Sequence, residues 1–529
     1  MTSEARRQIS RVAANYARLA MTFAIGVALT RVQFAWLGPD GFGLIALLAS
    51  AIGLGSMFDD FGRQSLVREL AQWHATDRER FLDAHRAAYV VSAAMAGLTA
   101  ATFLIVFLVV PLLRIEPEMA WAARVFIVAR GAWQTCMALM RPVCSMYIVR
   151  ESFAVFNTFT VTLRANELIG AVVLFVVLGT GDAARGVALF GVIPAVLNLA
   201  ALTALTLLLV RSDRALAPGF RGASRRALRD VAGTFGWNSG VILATSMHDR
   251  VSAIIMNIAF GVWGNAVFGL AFRLVAYARM ASIGMVFGVD ASSARLAETG
   301  RADRLRSLLR HATRGQAVVM LPLSLVVIAL APGLLEVWVG AHVDDPEAVL
   351  GPASILARIL MVGIAARAIS DGWLRILYGA GHVRSYAKMI LFGGALSPAL
   401  TIILIVALPD GWAFTAVGWS YAALILAFHC VAAPALGAKR LGVGLGSFYA
   451  PLLMPAIAAA LPAPILLARP WLDEALGSRA LGLAASGLAY AAVYAALVPI
   501  LVMTGAERRR LIGYARGRMR ARRDGYTPP

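Results

Sequence analysis

Asp77-Arg78-Glu79-Arg80-Phe81-Leu82-Asp83-Ala84-His85 and Asp303-Arg304-Leu305-Arg306-Ser307-Leu308-Leu309-Arg310-His311 are two versions of one pattern, Asp-Arg-x-Arg-x-Leu-x-x-His, 226 residues apart. Extended without gaps, residues 41–86 and 267–312 agree at 14 of 46 positions, including Phe42/Phe268, Gly43/Gly269 and Gly62/Gly288. Shared Leu, Gly and Ala carry little weight in an apolar chain. The recurring charged pattern is what marks a duplication.

Each copy follows a long apolar run. Fourteen runs reach the roughly 20 residues of helix that cross a hydrocarbon core about 30 Å thick. They are 15–37, 41–62, 87–110, 121–147, 156–178, 186–210, 233–260, 265–288, 314–338, 352–378, 387–408, 413–436, 449–468 and 479–503. The runs are continuous rather than alternating, which excludes a membrane β-barrel. Composition agrees: 60% of the 529 residues are apolar and 15% charged, against roughly 45–50% and about 25% in soluble domains. The fold class is therefore an all-α integral membrane protein.

The duplication pairs the second run with the eighth. Six crossings separate them, an even number, so the two copies share one orientation and are related by an axis along the membrane normal. The expected organisation is an N-lobe of six helices (1–210), an Arg-rich linker (211–232), a six-helix C-lobe (233–436), two further helices (437–503) and a basic tail (504–529). Two parallel six-helix lobes enclose a cleft, and rocking them exposes it alternately to each side.

The net charge of +20 is distributed unevenly. Segments on the N-terminal side of the membrane hold 31 basic residues, whereas the opposite loops hold three, Arg114, Arg185 and Arg469. The positive-inside rule then places both termini in the cytoplasm, with the chain in the inner membrane. The same asymmetry removes nucleic acid as an explanation of the charge. The first run is too long for a cleaved signal and reads as an uncleaved anchor. The tail, Arg508 to Arg510, Arg516, Arg518, Arg520, Arg522 and Arg523, attracts anionic lipid at about 1 kcal/mol per charge. Cys136 and Cys144 lie about 12 Å apart along one helix, too far for a disulfide, and no metal or cofactor pattern occurs.

Charges deep in the runs need an account, because an ionised side chain facing lipid at the bilayer centre costs about 2.5–3.5 kcal/mol. Arg18, Arg124, Arg141 and Arg375 lie near span ends, where long side chains snorkel. Arg367, Asp371 and Arg375 follow i, i+4, i+8 and read as an ion-pair ladder along one helix. Together with Asp60, Arg367 and Asp371 are candidates for a cytoplasmic gate. Arg130, Arg164, Arg250 and Arg273 lie deep, and Arg31 joins them with less depth. Guanidinium stays protonated and grips phosphate oxygens bidentately, so such a set suits a diphosphate and repels cations. Glu167, three residues beyond Arg164, and Asp249 are candidate pairing or ion-coupling groups.

Loose motifs run in a consistent order through residues 10–435. They are Leu29-Thr30-Arg31, Leu37-Gly38-Pro39-Asp40-Gly41-Phe42-Gly43-Leu44, Ser65 to Ala71, His248-Asp249-Arg250, Phe268 to Arg273, Leu330-Ala331-Pro332, Trp338-Val339-Gly340 and Leu377 to Arg384. In these the chain resembles the oligosaccharide flippase, or polysaccharide transporter, family of the multidrug/oligosaccharidyl-lipid/polysaccharide exporter superfamily. It departs at Phe268, where that family often has Tyr, and in having only two lysines, Lys388 and Lys439. The resemblance implies twelve helices in two lobes, often with two more. It also implies a transporter, not an enzyme, that moves a polyprenyl-diphosphate-linked oligosaccharide to the outer leaflet for cell-surface polysaccharide, alongside a polymerase or glycosyltransferases. The alternatives are an exporter of small amphiphiles or peptides on the same fold, or a membrane polymerase or ligase. The last would carry a large outer loop, whereas the longest here, 339–351, is short.

Overall fold

The computed structural model describes the backbone of residues 3–509 apart from 75, 76, 181, 234, 235, 287, 300 and 344. Side chains are described from residue 17 onward, leaving aside 58–65, 68, 69, 72, 233, 236, 238, 291 and 298. Among the described residues there is no strand.

The first half comprises α1 (Ser3–His74), α2 (Arg78–Val109), α3 (Pro117–Leu139), α4 (Arg141–Val149), α5 (Phe153–Leu178) and α6 (Ala183–Ser212). A short helix, α7 (Arg225–Gly233), lies in the linker. The second half comprises α8 (Gly236–Ser246), α9 (Ser252–Ile283), α10 (Val289–Glu298), α11 (Ala302–Val339), α12 (Pro346–Gly379), α13 (Val383–Ala407), α14 (Ala416–Ile425) and α15 (Ala433–Leu441). The chain ends with α16 (Gly446–Ala460), α17 (Pro464–Leu467), α18 (Arg469–Ala475) and α19 (Arg479–Leu497).

Eleven segments are long and apolar enough to cross a membrane. Two of them, Ala17–Met57 and Ser239–Val286, hold 41 and 48 residues, and at 1.5 Å per residue each is about twice the length a core of about 30 Å requires. Each is broken by a glycine. Gly38 has φ 65° and ψ −174°, followed by Pro39, and Gly261 has φ 68° and ψ −157°. Only glycine takes that backbone without strain, and proline removes a helical N–H, so the helix cannot run through. Each broken segment thus divides into two helices, in keeping with the two runs read there from the sequence, while α3, in the fourth run, is not among the eleven. The two breaks fall within three residues of equivalence under the 226-residue offset, so the duplication extends to backbone geometry. The fourth run is itself interrupted, dividing into α3 and α4 at Met140 just before Pro142.

Buried apolar clusters join α1, α2, α3, α5 and α6 on one side, and α9, α11, α12, α14 and α16 on the other. The two halves meet along α1 and α9, where small residues let the backbones approach. A methyl group on Gly43 would lie 2.4 Å from the Val262 carbonyl oxygen, and one on Gly269 would lie 2.6 Å from Ala46 Cβ. The surface is apolar in the way lipid requires, with Val176, Val406, Leu467 and Leu488 each more than two-thirds exposed. Ion pairs fasten the final helices to α11: Glu336 with Arg469 and Arg479 at one end, Arg314 with Glu507 at the other.

Candidate binding cavity

Between the halves lies a cavity of about 520 Å³. Residues of α1, α3, α5, α6 and α9 line it, together with the π-helical turn Met247–Val251 that connects α8 to α9. Arg130, Arg164, Arg250 and Arg273 all reach it, with Glu167 as the one carboxylate among the described lining residues. The four arginines come from α3, α5, the π-helical turn and α9, and lie 23 to 143 residues apart in sequence. Only tertiary packing brings them together.

Arg273 is held across the lobe interface. Its Nη1 donates to Thr30 Oγ1 at 2.8 Å and to Gln33 Oε1 at 2.9 Å, and its guanidinium lies 4.6 Å from the centre of the Phe42 ring. Among the described residues no carboxylate pairs with it. Arg130 sits 5.5 Å from the Phe126 ring centre and 5.4 Å from that of Phe190, and its Nη1 is 3.5 Å from Glu167 Oε1. Arg164 Nη1 donates to Glu167 Oε2 at 3.0 Å. Arg250 lies over Gly53, where a Cβ would fall 1.4 Å from its Nη1. Among the described residues the lining therefore carries four arginines and one carboxylate.

Arg31 does not join them. It is exposed and outside the lining, because its buried neighbours Thr30 and Gln33 face the second lobe and successive residues point about 100° apart on a helix. Asp249 also lies outside the lining. Arg367 Nη1 donates to its two oxygens at 2.9 and 3.1 Å and is also 2.9 Å from Tyr421 Oη. Asp371 pairs instead with Arg279, at 2.6 Å. The expected ladder on one helix is thus replaced by pairs between helices, since a buried guanidinium gains more from a well-oriented carboxylate on a neighbouring helix than from an i+4 pair. The partners of Arg367 and Asp371 all belong to the second half, so the pair binds that lobe together rather than latching it to the other. The side chain of Asp60 lies outside the described residues, as does the tail from residue 510. Arg141, expected to snorkel, is buried at the α3/α4 break.

Thr22, Gln33, Ser50, Ser56 and Gln134 complete the polar lining. Gln33 and Gln134, uncharged polar residues inside apolar runs, were the available signal for them.

The two halves also touch near the Gly261 break. Arg114, between α2 and α3, donates its backbone N–H to Asn257 Oδ1 at 2.9 Å and its Nη1 to the Ala259 carbonyl at 3.0 Å. Trp338 Nε1 donates to the Val27 carbonyl at 2.9 Å, tying α11 to α1.

Several solved structures share this fold. An inward-facing multidrug resistance MATE family transporter of the MOP superfamily matches with a TM-score of 0.66 at 14% identity, over 82% of this chain and 98% of that one. The lipid II flippase MurJ in an inward closed conformation matches with a TM-score of 0.65 at 11% identity, over 95% of this chain and 100% of that one. The Vibrio cholerae MATE transporter VcmN in its bent form matches at 0.53 and 15% identity, over 83% and 99%. No protein-family model and no curated protein matches the sequence. The chain is a multi-pass membrane protein with the fold of MOP transporters and flippases.

Proposed function

We propose that this protein flips a polyprenyl-diphosphate-linked oligosaccharide from the cytoplasmic to the outer leaflet of the inner membrane, by alternating access of two lobes. The observation that carries this reading is the cavity charge: among the described residues, four arginines from both halves of the chain line it with one carboxylate. The diphosphate would be gripped by guanidinium groups, the first sugars would occupy the remaining volume against Phe268, Phe272 and Tyr277, and the polyprenyl tail would stay in lipid. Both termini, the linker and the basic tail would face the cytoplasm, the tail against anionic lipid. Fold coverage supports a flippase over a drug exporter. The flippase match extends over 13% more of the chain than the MATE match (95% less 82%), about the length of residues 437–503.

A second reading, export of small amphiphiles or peptides, draws on the MATE likeness. The cavity charge favours an anionic amphiphile over a cationic one.

Proteoliposomes loaded with a fluorescent polyprenyl-diphosphate glycan test the proposal. Wild type should equilibrate the lipid between leaflets, whereas Arg164→Gln and Arg273→Gln should do so at less than about a tenth of the rate, the effect of losing a charge-assisted contact of about 1.5–3 kcal/mol. Wild type that leaves the lipid in its starting leaflet would sink the proposal.

A further inference from the structure

Glu167 is the anomaly of this cavity. A site built to hold an anion has no obvious use for a carboxylate, yet Glu167 stands between two of its four arginines. Its two oxygens are divided, Oε1 toward Arg130 at 3.5 Å and Oε2 toward Arg164 at 3.0 Å. That is how one phosphate would bridge two guanidinium groups from different helices. The helix spacing explains only half of this, because Arg164 is three residues from Glu167 on α5 but Arg130 comes from α3.

The two contacts are unequal. The Arg130 side chain is 8% exposed, so its charge needs compensation, whereas that of Arg164 is 55% exposed. Yet Arg130 is the worse served: 3.5 Å is long for a charge-assisted hydrogen bond, normally about 2.7–2.9 Å, and its buried Nε has no acceptor. Glu167 neutralises this pair without saturating it. A tetrahedral phosphate, with more oxygens and more charge, satisfies both guanidinium groups better.

We propose that Glu167 is a resident counter-anion that occupies the cargo phosphate's place between Arg130 and Arg164 and is displaced when cargo binds. Binding is then an exchange of anions, not an addition of one. In the empty state Glu167 spares the protein an uncompensated buried arginine, and on cargo release it refills the site. The exchange favours phosphate and diphosphate over singly charged anions, which offer the arginines nothing that Glu167 does not already supply. It also holds affinity down, which a carrier needs if its cargo is to leave. This inference rests on the anionic-cargo reading of the cavity.

The test is titration of the purified full-length chain with inorganic pyrophosphate, by calorimetry, for wild type, Glu167→Gln, Arg164→Gln and the double variant. Glu167→Gln should bind pyrophosphate about tenfold more tightly than wild type, equivalent to about 1.4 kcal/mol. Arg164→Gln should cost more affinity in the Glu167→Gln background than in wild type, because only there is Arg164 free of its resident partner. A purely structural role for Glu167 gives additive effects. Should Glu167→Gln not fold, Glu167→Asp keeps the charge but shortens the reach to Arg130, and should still bind several-fold more tightly than wild type. Saturable binding by wild type with equal or weaker binding by both Glu167 variants would overturn the counter-anion and leave the anionic cavity standing. Absence of saturable binding in wild type and in Glu167→Gln alike would overturn the cavity reading, and the counter-anion with it.

Discussion

Asn257 and Arg114 hold one another across the lobe interface. The Arg114 backbone N–H donates to Asn257 Oδ1 at 2.9 Å, and Asn257 Nδ2 donates back to the Arg114 carbonyl at 3.4 Å. Asn257 is fully buried, so its amide has no water to turn to if the pairing breaks. The pairing ties the two halves together near the Gly261 break. Separating the halves there requires breaking it.

Asn257→Ala should therefore loosen this contact. Removing a buried amide from two hydrogen bonds costs about 1–3 kcal/mol, enough to shift an equilibrium between joined and parted halves by roughly 5- to 150-fold. With Ala276 in the cavity wall changed to Cys and the native cysteines removed, a membrane-impermeant thiol reagent applied from the side of the Arg114–Asn257 contact should label the Asn257→Ala protein several times faster. Unchanged labelling would show that the halves are held together elsewhere.

The Arg367–Asp249–Tyr421 cluster should behave as a buried ion pair that supports the second lobe. Arg367→Gln or Asp249→Asn alone leaves one charge uncompensated and should lower stability by about 3–5 kcal/mol. The double variant should recover much of that loss, and Tyr421→Phe should cost only about 1 kcal/mol. Thermal unfolding in detergent reads all four. Additive losses in the double variant would refute the pairing.

Gly53 is a packing requirement for Arg250. A methyl group there would collide with the guanidinium, whose flexible stem lets it swing away instead of distorting the helix. Gly53→Ala should consequently match Arg250→Gln in pyrophosphate affinity while reaching normal abundance in the membrane. Wild-type affinity in Gly53→Ala would mean that Arg250 is not displaced.

The linker is docked by Asp213. Arg78 Nη2 donates to it at 2.7 Å and Arg150 Nη2 at 3.0 Å, and the Ala215 N–H donates to its other oxygen. The Arg78 hydrogen bond, helped by that of Ala215 and the charges of Arg78 and Arg150, holds the carboxyl below its ordinary value. A depressed carboxyl contributes fully above the ordinary range near pH 4 and loses its contribution as pH falls through the folded value. Hydrogen-exchange protection at residues 214–217, taken relative to the intrinsic rate at each pH, should be high at neutral pH and fall in acid below about pH 4. Asp213→Asn should exchange quickly at pH 7 already. Equal protection in both proteins would remove Asp213 from this role.

Much of the fold was legible because a bilayer is a simple solvent. It demands long apolar helices with internally satisfied backbones, so fourteen crossings can be read as runs, and a repeated charged pattern with six crossings between its copies gives the parallel duplication. The depth of Arg130, Arg164, Arg250 and Arg273 could be read in the same way, since hydrocarbon forces a deep charge toward a cavity or a partner. Partner choice could not. Arg31 and Arg273 both read as cavity cations, Arg31 with less depth, yet one is exposed and the other is gripped by Thr30 and Gln33. Arg367 passed over Asp371, four residues along its own helix, for Asp249, 118 residues away. Which face of a helix meets which neighbour depends on how whole helices rotate and cross. That is settled by packing summed over many residues, and no single stretch of sequence contains it.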